Sequence, residues 1–202
     1  MAIPLLATLA VPGAIPSAAQ SYVDSLGLER QPFGNYFRPT WSSAYQAAGL
    51  PEQRFAGGER GLSSAIYNLY TSDDQASPPT AQRGFPLHRL RGDETWYFFD
   101  GDGPINVYLL DMFNGTINKV TVGRPMRPQY TVPGDVWAGA LLANGTSWAL
   151  TGAQTTPAFD PRDSQLVEGN ASLLAHLYKT FPRPTHGLIA RLTSFGKTAA
   201  DV

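Results

Sequence analysis

His88 and Glu94 are the side chains of this sequence best placed to do chemistry together. They bound the segment His88-Arg89-Leu90-Arg91-Gly92-Asp93-Glu94, and the aromatic run Thr95-Trp96-Tyr97-Phe98-Phe99-Asp100-Gly101 follows. An imidazole and a carboxylate converging in an apolar interior can move a proton, or donate a hydrogen bond to a developing oxyanion. Strand side chains alternate faces. If His88 points inward, so does Leu90. If Glu94 points inward, so do Trp96 and Phe98, unless a β-bulge resets the register. Tyr97 then faces outward. An aromatic wall with few polar groups is what a small-molecule site looks like. The plainer alternative for His88 and Glu94 is a structural hydrogen-bonded pair. Read singly, Trp96, Phe98 and Trp137 are core residues.

Other chemistries are missing. There is no cysteine, which removes disulfides and thiolate catalysis. No Ser-His-Asp order, phosphate loop or nucleotide fingerprint occurs. His176 falls on a C-terminal helix and His186 in the tail after it, so neither is a good catalytic candidate.

The elements that must position the pair are mostly short strands. Residues 85–91, 94–99, 105–113, 117–122, 130–132, 136–142 and 147–154 read as strands, and 62–70 joins them through Ile66, Tyr67 and Tyr70. Gly101-Asp102-Gly103, Asn114-Gly115, Pro133-Gly134 and Asn144-Gly145 punctuate them as turns. Residues 31–43 form an aromatic-rich extended segment. Residues 17–29 read as a helix with Tyr22, Leu26 and Leu28 on one side and Ser17 as its cap. Residues 171–181 read as a second helix, with Leu173, Leu174, Leu177 and Tyr178 on one face, ended by Pro182 and Pro184. Many short strands at close spacing predict an all-β fold, a sandwich or barrel with short flanking α-helices.

A chain of 202 residues suits one domain with a full core. The expected organisation is an apolar N-terminal extension or leader over 1–20, one domain over 21–182, and a tail or strap over 183–202. A net charge of −1 favours neither nucleic acid nor an anionic membrane. No apolar run approaches the roughly 18 residues of a membrane span. Ser17-Ala18-Ala19 resembles a signal-peptidase site, and three sequons begin at Asn114, Asn144 and Asn170. The N-terminal segment has no Lys or Arg, and Pro4, Pro12 and Pro16 interrupt it, which favours a cytoplasmic over a secreted protein.

From about residue 25 to 182 the sequence resembles the small RmlC-like cupins of cupin family 5, a largely uncharacterised family. The resemblance rests on Leu26-Gly27-Leu28-Glu29, Pro32 and Gly34, Tyr36-Phe37-Arg38, Ser64-Ala65-Ile66-Tyr67, and His88-Arg89-Leu90 with Asp93-Glu94 and Trp96. It continues in Pro128-Gln129, Val132-Pro133, Trp137, Ala140 and Pro157-Ala158-Phe159-Asp160. It implies a single jelly-roll β-barrel and a homodimer, and it implies no established reaction. A metal-binding cupin carries His-x-His, then Glu, then Gly seven residues on. His88, Glu94 and Gly101 fit that spacing, while Leu90 and Ala138 stand where two further His ligands would be. Family members have His-Pro-Glu-Gly-Gly where this chain has Gln31-Pro32-Phe33-Gly34-Asn35. They have Trp-His-Phe where it has Trp96-Tyr97-Phe98, and Trp-Gln-Ala where it has Trp137-Ala138-Gly139.

The expected reading is an enzyme that uses no metal or other cofactor and acts on an apolar, oxygenated specialised metabolite. The reaction class is isomerisation or cyclisation: epimerisation, dehydration or a pericyclic ring closure. His88 and Glu94 are the expected catalytic residues. Arg38, Tyr67, Trp96, Phe98, Gln129 and Trp137 are the expected substrate-binding residues. Arg38 and Arg89 have two readings, as clamps for an anionic substrate or as partners of Asp93 at the barrel mouth. Two alternatives stay open: a metal-dependent oxygenase or sugar isomerase with an unusual ligand set, and a non-catalytic cup for a ligand.

Overall fold

The computed structural model describes residues 15–31, 35–55, 57–72, 84–167 and 169–193. Most of the leader reading, the family match at Pro32 and Gly34, and the end of the tail lie outside these residues. In chain order the elements are α1 (Ser17–Leu26), β1 (Glu29–Arg30), β2 (Tyr36–Ser42), β3 (Gln46–Ala47), β4 (Arg60–Gly61), β5 (Ser64–Thr71), β6 (Gly84–Leu90) and β7 (Asp93–Gly101). There follow β8 (Ile105–Asp111), β9 (Thr116–Val122), β10 (Gln129–Val132), β11 (Trp137–Leu142), β12 (Trp148–Thr156), β13 (Ser164–Leu166), α2 (Ala171–Thr180) and α3 (His186–Thr193).

Two antiparallel sheets face each other as a jelly roll, with the order β1-β2-β5-β12-β7-β10 in one and β13-β6-β11-β8-β9 in the other. Their inner faces share one core. Tyr70, Trp96, Phe98 and Val132 from the first sheet meet Ile105, Val107, Ala138 and Ala140 from the second. Alternation produces this directly in β7, where Glu94, Trp96 and Phe98 are buried while Tyr97 is only half-buried.

Helices cover the outer faces. α1 packs Ala19 on Leu69, Trp148 and Leu150. It stops at Leu26 because Gly27 turns left-handed (φ +59°), and Leu28 N–H returns to Val23 O at 2.9 Å. The expected Ser17 cap is not made. Ser17 is already inside the helix, behind Pro16, and no side chain caps it. α2 is capped as its sequence allows, Asn170 Oδ1 accepting from Leu173 N–H at 3.0 Å. The expected strap is a third helix. Arg183–Thr185 forms a single 3-10 turn and leads into α3, whose Ile189 and Leu192 are fully buried against Leu87, Trp137 and Leu141.

Candidate functional site

A bulge and a turn bring the pair together. In β6, Ala138 of β11 pairs with His88 but Ala140 pairs with Phe85, so one extra residue enters β6 between them. Pro86 sits in that irregularity, where it owes the ladder no N–H. The extra residue turns both Phe85 and His88 inward, their rings 4.9 Å apart and nearly perpendicular. On β7, Glu94 is the first inward residue after the turn. His88 is 4% exposed and Glu94 7%.

Three contacts define the chemistry. His88 Nδ1 lies 2.8 Å from Pro86 O, and a carbonyl only accepts, so Nδ1 carries a hydrogen. His88 Nε2 lies 3.1 Å from Glu94 Oε2. Trp96 Nε1–H donates to that same oxygen at 2.7 Å. With Nδ1–H fixed, one proton remains for the Nε2–Oε2 contact. Either an imidazolium donates to a carboxylate, or a carboxylic acid donates to a neutral imidazole. Burial alone lowers the His88 pKa. The charge of Glu94, its hydrogen bond and the Pro86 carbonyl outweigh burial and raise it above the ordinary histidine value. The contact with Glu94 therefore favours the imidazolium form of His88 and extends it to higher pH than in an ordinary histidine.

Tyr70 joins this interior and was not among the residues chosen from sequence. Its side chain is 1% exposed, and its hydroxyl has Thr151 as its one nearby side-chain partner among the described residues, without the geometry of a full hydrogen bond. Burial, followed by the charge of Glu94, pushes its phenol far above the ordinary tyrosine value. Thr151 is fully buried on the adjacent strand. The signal for Tyr70 was in the strand period: in β5, residues 66, 68 and 70 share one face and 67 and 69 the other.

The structure brings together only part of the expected site. Trp96 and Phe98 stand in the interior with the pair. Tyr67 packs outside, edge-on to Phe99 at 5.7 Å and among the residues under α1. Gly152 makes room there, since a Cβ would meet the Phe99 ring at 2.7 Å. Arg38 is exposed and donates to Leu26 O at 2.7 Å, closing the C-terminus of α1 rather than clamping a ligand or pairing with Asp93. Gln129 is exposed on the outward face of β10, opposite Tyr97. Trp137 faces α2 and α3, with the Arg89 guanidinium 5.3 Å from its ring centre. Ala138 faces inward beside His88, so its neighbour Trp137 must face out.

The donor set does not fit a metal. Ala138 occupies the position across from His88, and His88 and Glu94 are two donors where zinc and iron sites take three protein ligands. Among the described residues no three His, Cys, Asp or Glu side chains come together.

A cleft of about 1090 Å³ lies at the end of the second sheet between β8, β10, β11 and α2, and neither His88 nor Glu94 lines it. A smaller one of about 350 Å³ lies under α1, beside Tyr22, Tyr67 and Arg124.

Comparison with known proteins places the architecture. The structure matches protein SO0799 from Shewanella oneidensis with a TM-score of 0.64 and 26% identity, over 87% of this chain and 96% of that one. A hypothetical protein from Leishmania major matches with a TM-score of 0.64 and 25% identity, over 89% of this chain and 99% of that one. No curated protein sequence matches. The model of one family, described as Cupin superfamily (DUF985), matches residues 20–167, a span that contains both sheets and the His88–Glu94 pair. The chain therefore belongs to the DUF985 family of the cupin superfamily.

Proposed function

We propose that the protein is an acid–base enzyme acting on a small, oxygenated, largely apolar molecule inside the barrel, by isomerisation, dehydration or ring closure. One observation carries the reading. Glu94 Oε2 takes both the Trp96 N–H and the His88 Nε2 contact within a wall of aromatic side chains. Trp96 orients the carboxylate and the Pro86 carbonyl orients the imidazole, so the remaining proton is held on one line between two groups that can each carry it. In the reaction Glu94 accepts a substrate proton, and His88 holds the compensating charge or donates to a developing oxyanion. The Tyr70 hydroxyl is a second donor in the same interior. Phe85, half-buried over His88, is the side chain that must yield to admit substrate.

The burial of the pair favours a second reading. In it, His88 and Glu94 fasten β6 to β7, and the barrel binds without turnover.

The test is proton exchange. A panel of hydroxy-carbonyl and enolisable metabolites is incubated with the protein in deuterated water, and label uptake and isomer formation are followed by NMR. The wild type is expected to exchange or convert a panel member. H88Q and E94Q, with their fold checked by circular dichroism, are expected to lose about 100-fold or more. Turnover that survives both substitutions overturns the assignment. Saturable ligand binding without exchange supports the second reading.

A further inference from the structure

The large outer cleft has its own chemistry. Its floor is apolar, formed on the outer face of the sheet by Leu110, Met112 and Trp137, with Leu173 of α2 as one wall. Its volume, about 1090 Å³, is at the upper end of small-molecule sites. Arg89 is held at its edge. The guanidinium lies 5.3 Å from the Trp137 ring centre, and Nη2 donates to Gln165 Oε1 at 2.6 Å. Those two contacts fix its plane and leave further N–H groups without a hydrogen bond among the described residues.

No carboxylate among the described residues pairs with Arg89. The two that line the cleft are engaged elsewhere. Asp111 accepts from Asn114 Nδ2 at 2.6 Å and from two backbone N–H groups, and Asp135 lies 3.4 Å from Arg54. A fixed, uncompensated guanidinium at the margin of an apolar floor is complementary to one ligand class.

From this arrangement we infer that the outer cleft is a second binding site, for an amphipathic anion whose apolar body lies on Leu110, Met112 and Trp137 and whose carboxylate or sulfonate meets Arg89. The site is separate from the His88–Glu94 pair. Arg89 and Trp137 are strand neighbours of His88 and Ala138 but project from the opposite face of the sheet.

The test uses two dyes with the same rings. Anilinonaphthalene sulfonate carries a negative charge, and phenylnaphthylamine lacks the sulfonate. Titration of the full chain, followed by dye fluorescence, is expected to show one saturable site that prefers the anionic dye by about tenfold or more. R89Q is expected to reduce that preference to within about twofold and to leave the neutral dye's affinity unchanged. M112E, which places a negative charge on the floor, is expected to weaken the anionic dye more than the neutral one. Thermal melts of both variants establish that they are folded. Equal affinity of the two dyes for the wild type, or an unchanged preference in R89Q, overturns the inference. Neither outcome bears on the proton-exchange test, because Arg89 and Met112 do not touch the pair.

Discussion

Glu94 is held by two donors on one oxygen, and the consequences can be measured one residue at a time. Trp96→Phe keeps the ring bulk and deletes the N–H. It is expected to cost about 1.5–3 kcal/mol, the value of a hydrogen bond to a charged group, read from denaturant unfolding. His88 makes stability depend on pH in a defined direction. Its folded pKa is raised, so the stabilisation is fully present below about pH 6.5, the value of an unfolded imidazole, and is lost as the pH rises through the folded value. The melting temperature of the wild type should therefore fall as pH climbs above about 6.5, and H88Q should lack that component. The pair itself was legible through the cupin resemblance, whose spacing His88, Glu94 and Gly101 keep, and alternation from Glu94 reaches Trp96 and Phe98. Tyr67 and Trp137 were assigned by their place in family blocks rather than by strand parity. Parity puts Tyr70 and Ala138 inside, and therefore Tyr67 and Trp137 outside.

The bulge in β6 is the element on which the site depends. A regular strand would place Phe85 and His88 on opposite faces, because an odd number of steps separates them. The extra residue at Pro86 and Leu87 turns both inward, and no residue pattern announced it beyond the proline itself. The pairing of β11 with β6 also supports a constructive test. Ala138 faces His88 across the ladder, so A138H adds a third donor to His88 and Glu94. That variant is expected to co-purify with close to one equivalent of zinc when grown with the metal, against a much lower wild-type value in the same preparation. Elemental analysis checks it, and equal loading of the two proteins would contradict the register. The sequence of α3 reads as a tail or strap because its helical signal is short. After Pro182 and Pro184 only Leu188, Ile189 and Leu192 mark an apolar face, too few to separate a helix from a covering segment. Its anchorage is nevertheless firm. Leu192→Ala is expected to cost about 2–5 kcal/mol in unfolding experiments, since the side chain is fully buried beside Leu87 and Ile189.

At the scale of the whole molecule, a buried ion pair joins segments far apart in sequence, and helices cover the outer faces of the sheets. Arg60 of β4 meets Asp163 through Nε at 2.7 Å and Nη2 at 3.0 Å, both groups buried, and so ties the β3–β4 pair to the segment before β13. Hydrogen bonding to Asp163 raises the Arg60 pKa, against the effect of its burial. Asp160 also lies 3.5 Å from Arg60, so the guanidinium keeps one carboxylate when Asp163 is neutralised. Asp163→Asn is expected to lose about 1.5–3 kcal/mol of unfolding free energy, the value of a hydrogen bond to a charged group. Neither this ion pair nor the outer cleft was visible in the sequence. Residues 60 and 163 are brought together only by the tertiary fold, and the cleft is a gap between α2 and the ends of three strands. The all-β class was legible because its evidence is local and repeated, short alternating strands punctuated by Asn-Gly, Pro-Gly and Gly-Asp-Gly turns, whereas the jelly roll was implied by the family resemblance.

A proton shared by His88 and Glu94 underlies the proposed chemistry, and nitrogen NMR of the histidine rings reads it directly. The chain has only His88, His176 and His186, so single substitutions assign every signal. The structure requires that the His88 ring keep Nδ1 protonated and remain an imidazolium to a pH above its ordinary titration range. In E94Q the same ring is expected to lose its charge at lower pH, because burial then acts without the carboxylate. A His88 ring that titrates at or below the ordinary value in the wild type, unmoved by E94Q, would contradict the pair and the acid–base function built on it.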